Sequence, residues 1–258
     1  LPFFIAMLDH LAEHGCLVPP MIADREGTKI HDLCGRRACL IKFLPGVSVS
    51  HPTTAQARAT GEALGEMHRA LADFEPERRN SLDHDGWRSL AEQCGPAELD
   101  KIAPGLAQAI ADELDHLDQH WPHHLPHSVI HADLFPDNVL MLGDRVTGLI
   151  DFYFSCTDIR AYDLAVTHAA WCFSDDGTDF HAPVSQALIA GYASAFALSD
   201  AERKALPLLA RGAALRFLLT RAYDWINTPA DALVTRKPPQ AFLQRLRYYQ
   251  NHPDIFKP

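Results

Sequence analysis

No run in this chain approaches the roughly 18 unbroken apolar residues that a bilayer crossing requires, and no basic-then-apolar leader opens it. Neither a membrane span nor a secretory leader is expected. Cysteine is sparse and scattered: Cys16, Cys34, Cys39, Cys94, Cys156 and Cys172 contain no C-x-x-C pair. That speaks against a thiol redox motif and a disulfide framework, and for reduced thiols in the cytoplasm. Positive charge is short as well. Lys and Arg number 23 against 33 Asp and Glu, a formal net charge of −10, and no basic block or basic–aromatic stripe occurs. Nucleic acid and anionic membrane are therefore not expected partners, which leaves a small molecule. Internal repeats and low-complexity tracts are missing too. What remains is 258 residues, 47% hydrophobic and 22% charged. This is the make-up of one or two globular domains with ample core.

The most informative stretch is residues 129–151. It begins Val129-Ile130-His131-Ala132-Asp133-Leu134-Phe135-Pro136-Asp137-Asn138 and continues with two apolar runs, 139–142 and 146–150, around Gly143-Asp144-Arg145. Such runs about a Gly-Asp turn read as a tight β-hairpin. A turn centred on Asp144 and Arg145 would set Asn138 directly across from Asp151 at the open end, with Cβ atoms roughly 5 Å apart. Both side chains offer oxygen, which hard divalent cations such as Mg2+ prefer. Asp133, on a loop held by Pro136, adds a carboxylate. One base beside two metal ligands is the equipment that phosphoryl transfer needs.

The spacing His131-x-Asp133-x-x-x-x-Asn138, followed by Ile150-Asp151, resembles the catalytic segment of the protein-kinase-like phosphotransferases. It is most similar to the aminoglycoside and choline kinase branch. Within that branch, Val129–Asn138, Gly148–Phe154, Ala161-Tyr162-Asp163-Leu164-Ala165, Ala170-Trp171-Cys172-Phe173 and Arg211–Trp225 resemble the bacterial homoserine kinases. The resemblance runs from Leu1 to about Tyr249.

That resemblance implies an α+β, protein-kinase-like fold of two lobes. Residues 1–45 would be the remnant of a small, β-containing N-terminal lobe, incomplete here, and 46–258 a large, mainly helical C-terminal lobe holding the catalytic hairpin. It implies an Mg2+- and ATP-dependent kinase with ATP in the cleft between the lobes. Asp133 would be the catalytic base, with His131 and Asp163 supporting its loop, and Asn138 and Asp151 the metal ligands. Backbone at Lys42, Phe43 and Leu44 would meet the adenine. The implied acceptor is the hydroxyl of L-homoserine, giving O-phospho-L-homoserine for threonine biosynthesis. Another small alcohol (an aminoglycoside, choline or a sugar) and a catalytically inactive binding module are the alternatives. An amino-acid substrate brings a carboxylate, which a planar guanidinium can hold bidentately. Arg216 or Arg221 is the candidate, with ion pairs to Asp224 or a helix terminus as the competing use. Two parts of the family are not found in the chain, a G-x-G-x-x-G loop and a strand-borne Lys. The resemblance places both upstream of Leu1. None of the six lysines, Lys29 and Lys42 included, replaces that Lys. Its acidic partner would be Asp9 or Glu13.

The other segments read as supporting structure. Phe3, Phe4, Met7, Leu8 and Leu11 make residues 1–14 an amphipathic helix that Gly15 ends. Segments 28–32 and 38–43 read as strands of a further hairpin. Thr53-x-x-Gln56 is a capping box opening a helix with Ala57, Leu64, Met67 and Leu71 inward. Gly61 and Gly65 permit close approach there, and His68 reads as a packed, hydrogen-bonded residue. Pro104 suits the first position of a helix reaching Trp121, with Asp112, Glu113, Asp115 and Asp118 as a solvated face. His120, His123, His124 and His127 crowd a Pro-containing loop, and no i,i+4 helical pair among these four and no Cys partner supports a transition-metal site there. Helices follow over 162–173 and 184–196. Ser199-x-x-Glu202 is a second capping box, ahead of a long helix from Pro207 to Ile226, and a last helix covers 241–250.

Overall fold

Helix starts carry the strongest local signals. The computed structural model, which describes residues 1–229, 232, 233 and 236–257, places helices where they point. In chain order the elements are α1 (Pro2–Glu13), β1 (Met21–Ile22), β2 (His31–Leu33), β3 (Arg36–Ala38), β4 (Leu40–Ile41), α2 (Thr54–Ala70), α3 (His84–Cys94), α4 (Pro96–Ile102), α5 (Leu106–His120), β5 (His127–Ile130), β6 (Val139–Leu142), β7 (Arg145–Leu149), β8 (Cys156–Ile159), α6 (Arg160–Trp171), α7 (Ala182–Ala195), α8 (Asp200–Asn227) and α9 (Gln240–Asn251). The strands pair two by two, β1 with β4, β2 with β3, β5 with β8 and β6 with β7. Helices with a few short strands make this an α+β protein.

The chain divides into two compact units. The first comprises Leu1–Arg79, His127–Thr157 and Pro183–Ala197. Its N-terminal hairpin is not the expected pairing of 28–32 with 38–43: residues 28–30 are irregular, Leu40–Ile41 pair with Met21–Ile22, and the hairpin is β2 with β3, turning at Cys34 (φ 51°) and Gly35 (φ 76°). Two successive positive φ values are what a two-residue turn of right-handed twist requires. Both halves of the Thr53/Gln56 capping box form, at 3.2 and 3.0 Å. Along α2 the glycines admit α7 to backbone distance. A Cβ at Gly61 would lie 2.0 Å from the Leu188 carbonyl oxygen, and one at Gly191 would lie 2.0 Å from that of Arg58. His68 is fully buried, and its Nδ1 is 2.8 Å from the Tyr192 hydroxyl.

The second unit comprises Asn80–Pro126, Asp158–Ala182 and Leu198–Pro258, and α8 is its axis. The Ser199/Glu202 capping box starts this helix at Asp200, so Pro207 lies inside it. An interior Pro costs about 3 kcal/mol. The buried residues Leu209, Ala210 and Gly212–Leu219 and the capped start offset that cost, so the helix begins a full seven residues before Pro207. Glu202 is fully buried and also accepts both Nε (3.2 Å) and Nη2 (2.6 Å) of Arg160. Gly212 lets Trp87 and Trp121 reach the α8 backbone, and the two indoles meet edge to face at 5.1 Å. Helix α5 starts at Leu106 behind left-handed Gly105, so Pro104 sits in the preceding turn. Glu113 is 2% exposed and no part of a solvated face. Arg211 grips both its oxygens at 2.8 and 2.6 Å, and Gln250 adds a bond of 2.7 Å.

Burial drives the His168 imidazole down from 6.5 to about 3, and its Nδ1 lies 2.7 Å from the Tyr249 hydroxyl. The folded chain keeps this ring neutral where the unfolded chain protonates it. The associated stability is therefore full above pH 6.5 and drains as pH falls toward 3, by at most roughly 1.4 kcal/mol per pH unit. Urea unfolding at a series of pH values should show a steeper loss for the wild type than for His168→Gln, and equal slopes would contradict this. In the first unit, Gly61→Ala should lower stability by about 1–3 kcal/mol through overpacking. Gly86→Ala, whose Cβ meets nothing nearer than 3.4 Å, serves as the near-neutral comparison in the same thermal melts.

Candidate active site

Strand β5 delivers the chain to His131, which is fully buried, and Ala132 follows at φ 64°. Among the described residues only Cys34, Ala132 and Asp151 are non-glycines with positive φ. Such a backbone costs of order 1–3 kcal/mol and persists only where surrounding contacts over-determine it. The His131 ring supplies those contacts. Its Nε2 lies 3.0 Å from the Ile150 carbonyl oxygen, and its Nδ1 lies 3.3 Å from the Asp133 amide nitrogen. A carbonyl only accepts and an amide N–H only donates. The proton is therefore on Nε2 and the lone pair on Nδ1. One imidazole thus bonds Asp133 on one side and the residue before Asp151 on the other.

Beyond Asp133, the Phe135 amide bonds the Asp133 carbonyl at 2.8 Å, and Pro136–Asn138 makes one 3-10 turn. That turn brings Asn138, 8% exposed, back onto the loop. Its Nδ2 donates to the Asp133 carbonyl oxygen at 2.8 Å and to the carboxylate Oδ2 at 3.3 Å. With the nitrogen engaged in this way, Oδ1 is the atom Asn138 offers a hard cation.

The hairpin register differs from the simple reading. Leu142 pairs with Arg145 and Met141 with Val146, so the turn centres on Gly143 (φ 62°) and Asp144. A bulge between Leu140 and Met141 then shifts the pairing to Leu140–Gly148 and Val139–Leu149. Asn138 therefore faces Ile150, whose amide donates to its carbonyl at 3.0 Å, and is not the direct cross-strand partner of Asp151. Asp151 comes one residue later, exposed and left-handed (φ 61°, ψ 56°), where it opens the 3-10 turn Phe152–Phe154.

Of the residues expected to meet a nucleotide, Leu44 is carried onto this hairpin. A Cβ at Gly148 would lie 2.6 Å from its Cδ1, so a side chain there would have to push the Leu44 methyl aside. The next residues dock alongside. Thr147 Oγ1 donates to the Pro45 carbonyl at 2.5 Å, and Val47 and Met141 exchange amide–carbonyl bonds of 3.0 and 2.9 Å. Lys42 bonds the Pro20 carbonyl through its amide at 3.0 Å, while the Phe43 side chain is 86% exposed.

Comparison with known proteins bears on this geometry. A family model described as "Phosphotransferase enzyme family" matches residues 1–206. The homoserine kinase of Zymomonas mobilis is 54% identical over 250 residues, 97% of this chain and 78% of that protein. That of Azorhizobium caulinodans is 51% identical, over 97% of this chain and 77% of its own. The chain belongs to the phosphotransferase enzyme family, in its homoserine kinase group. Solved structures agree on the fold. An amicoumacin kinase bound to AMP-PNP, Ca2+ and Ami superposes with a TM-score of 0.69 at 15% identity, covering 96% of this chain and 78% of its own. A choline kinase from Cryptosporidium parvum gives 0.63 at 14% identity, covering 98% and 78%.

Three other residues expected to serve this phosphotransferase, Asp163, Arg216 and Arg221, lie in the second unit. Asp163 is fully buried in α6, its carbonyl accepting from Thr167 Oγ1 at 2.8 Å. Arg216 is 2% exposed, with its guanidinium 4.4 Å from the Phe217 ring. Arg221 lies 4.5 Å from the Phe242 ring and 3.5 Å from the Pro238 carbonyl. Asp9, one of two acids the sequence left open, bonds Lys29 Nζ at 2.5 Å. Nothing in the sequence marked that pairing, because the two residues are 20 apart and meet only through the fold. Among the described residues no helix is long and apolar enough to cross a membrane.

Proposed function

We propose that this phosphotransferase moves the γ-phosphoryl group of ATP to the side-chain hydroxyl of L-homoserine, releasing ADP and O-phospho-L-homoserine for threonine biosynthesis. The observation that carries the reaction type is the hairpin mouth, where Asn138 Nδ2 holds the Asp133 carboxylate at 3.3 Å. The choice of acceptor is supported by homoserine kinases about half identical to this chain over 97% of its length. In this reading residues 1–45 and 46–258 are the small and large lobes, and the adenine meets backbone at Lys42, Phe43 and Leu44. Six scattered cysteines without a C-x-x-C pair suit work in the cytoplasm.

An alcohol is a poor nucleophile near neutral pH, so positioning matters as much as basicity. Asp133 orients the acceptor hydroxyl and takes its proton as the bond to phosphorus forms. Asn138 Oδ1 and the Asp151 carboxylate would hold Mg2+. Held there, Mg2+ would supply positive charge against the charge that builds on the transferring phosphoryl group. The donor set suits it, being oxygen only, without sulfur or imidazole. His131 keeps the two acidic positions in register, and Asp163 braces the loop. Arg216 or Arg221 takes the carboxylate of the substrate.

Purified enzyme should release ADP rapidly with L-homoserine and only slowly with choline, an aminoglycoside or a hexose. Success with one of those and failure with homoserine would refute the acceptor. Asp133→Asn should lower kcat by about 10²–10⁴-fold while nucleotide binding survives; near-normal turnover would reject the base. Asp151→Ala should raise the Mg2+ concentration needed for half-maximal rate, and an unchanged requirement would remove Asp151 from the metal site.

A further inference from the structure

The C-terminal end of α1 presents two histidines four residues apart, His10 and His14, and the 3-10 turn Leu71–Asp73 brings Asp73 against them. One ligand atom from each lies within 4.8 Å of the other two. None of the three has a part in the phosphoryl transfer proposed above. We propose that His10, His14 and Asp73 form a binding site for a divalent transition-metal ion of the zinc type.

The separations suit such an ion. His10 Nε2 and Asp73 Oδ1 are 3.3 Å apart. Tetrahedral bonds of about 2.0–2.1 Å place neighbouring ligand atoms roughly 3.3–3.4 Å apart, the spacing this pair already has, and the ion takes the place on Nε2 that the Ala70 carbonyl now holds. The second histidine is already set. His14 Nδ1 is 2.8 Å from the His10 carbonyl oxygen, which can only accept. The proton is thus on Nδ1 and the lone pair on Nε2. A ring nitrogen donating to a carbonyl while the other binds metal is the usual outer-shell arrangement of metal-ligating histidines. The two rings lie 4.2 Å apart at 31°, and Phe74 rests 5.2 Å from His10, which limits the freedom the ion would otherwise have to remove.

His10 Nε2 is also 2.7 Å from the Ala70 carbonyl oxygen, to which it donates. Binding through Nε2 moves the His10 proton to Nδ1 and leaves the ring neutral, so no co-reactant is required. The fourth position falls to water or to the Ala70 carbonyl. The Asp73 side chain is 77% exposed, which opens a path of entry. Two imidazoles and one carboxylate favour Zn2+ and its first-row neighbours over Mg2+, which prefers oxygen alone. The bound ion would cross-link α1 to the turn after α2.

The test is a Zn2+ titration of the whole protein by calorimetry, with Mg2+ saturating and without nucleotide. The wild type should take up one equivalent. His14→Ala and Asp73→Asn, both at exposed positions, should each bind at least about tenfold more weakly. His120→Ala, which breaks another histidine pair on one helix face (His116 and His120, 4.5 Å apart), should leave uptake unchanged. Zn2+ should also raise the Tm of the wild type but not of His14→Ala, with metal-free Tm equal in both. Absence of uptake, uptake indifferent to both variants, or uptake lost in His120→Ala would each overturn the site. None of these readouts depends on phosphoryl transfer.

Discussion

One imidazole holds the catalytic hairpin together. His131 is buried, and each ring nitrogen spends its single capacity on backbone, Nε2 on the Ile150 carbonyl and Nδ1 on the Asp133 amide. This matters because the loop is locally expensive. Ala132 and Asp151 both occupy the left-handed region without being glycine, and neither would stay there in an isolated peptide. The ring spans the two strained positions and ties each to the other. The strain and the clamp are thus one device: left-handed backbone aims the acidic residues, and the histidine keeps the backbone left-handed. A lysine or asparagine could not replace it, because the job needs a donor and an acceptor on opposite edges of one rigid ring.

A second constraint lies along the other edge of the hairpin. Gly148 and Gly46 are small because something occupies the space a side chain would need. At Gly148 it is Leu44; at Gly46, itself at φ 136°, it is Thr147 Oγ1, 2.5 Å from where a Cβ would be. The result is a segment, 44–47, fastened to β6 and β7 by backbone and hydroxyl bonds. The segment expected to meet the adenine and the hairpin expected to hold the metal therefore share one rigid support. Positioning of this kind is most of what a phosphotransferase supplies, since the transferred group needs little covalent help from the protein.

Some of this was legible in the sequence and some was not, for physical reasons. The capping boxes at Thr53 and Ser199, the hairpin at 139–149 and the glycines of α2 are local signals, each decided within a few residues, and each appears as read. The hairpin register was misread because the turn centres on Gly143, at φ 62°, and Asp144, not on Asp144 and Arg145; the bulge at Leu140/Met141, beside the Val47–Met141 bridge, then shifts the pairing by one residue. Glu113 looked solvated because neighbouring acids share its helix. Its burial depends on Arg211 and Gln250, which arrive from distant helices. Pro207 looked like a helix start because local propensity says so. The core that overrides it is tertiary. For the candidate site the motif spacing pointed to Asp133 and Asn138, which the fold places together. It could not reveal that Asn138 bonds the very carboxylate it accompanies.

The histidines show how burial and partner decide what one side chain does. His68 and His168 are sealed in and each meets a tyrosine hydroxyl, at 2.8 and 2.7 Å. At His168 burial penalises the charged ring, and that residue acts as a neutral peg. His131 is equally buried, but its partners are backbone groups, so it becomes a clamp. His10 and His14 sit at a surface beside a carboxylate, where an imidazole lone pair can meet a cation from solvent. The same ring thus serves as filler, brace and ligand in one chain, and the sequence letter alone does not separate them. What separates them is whether the second ring nitrogen faces a hydroxyl, an amide or water, and that is settled only when distant segments close around it.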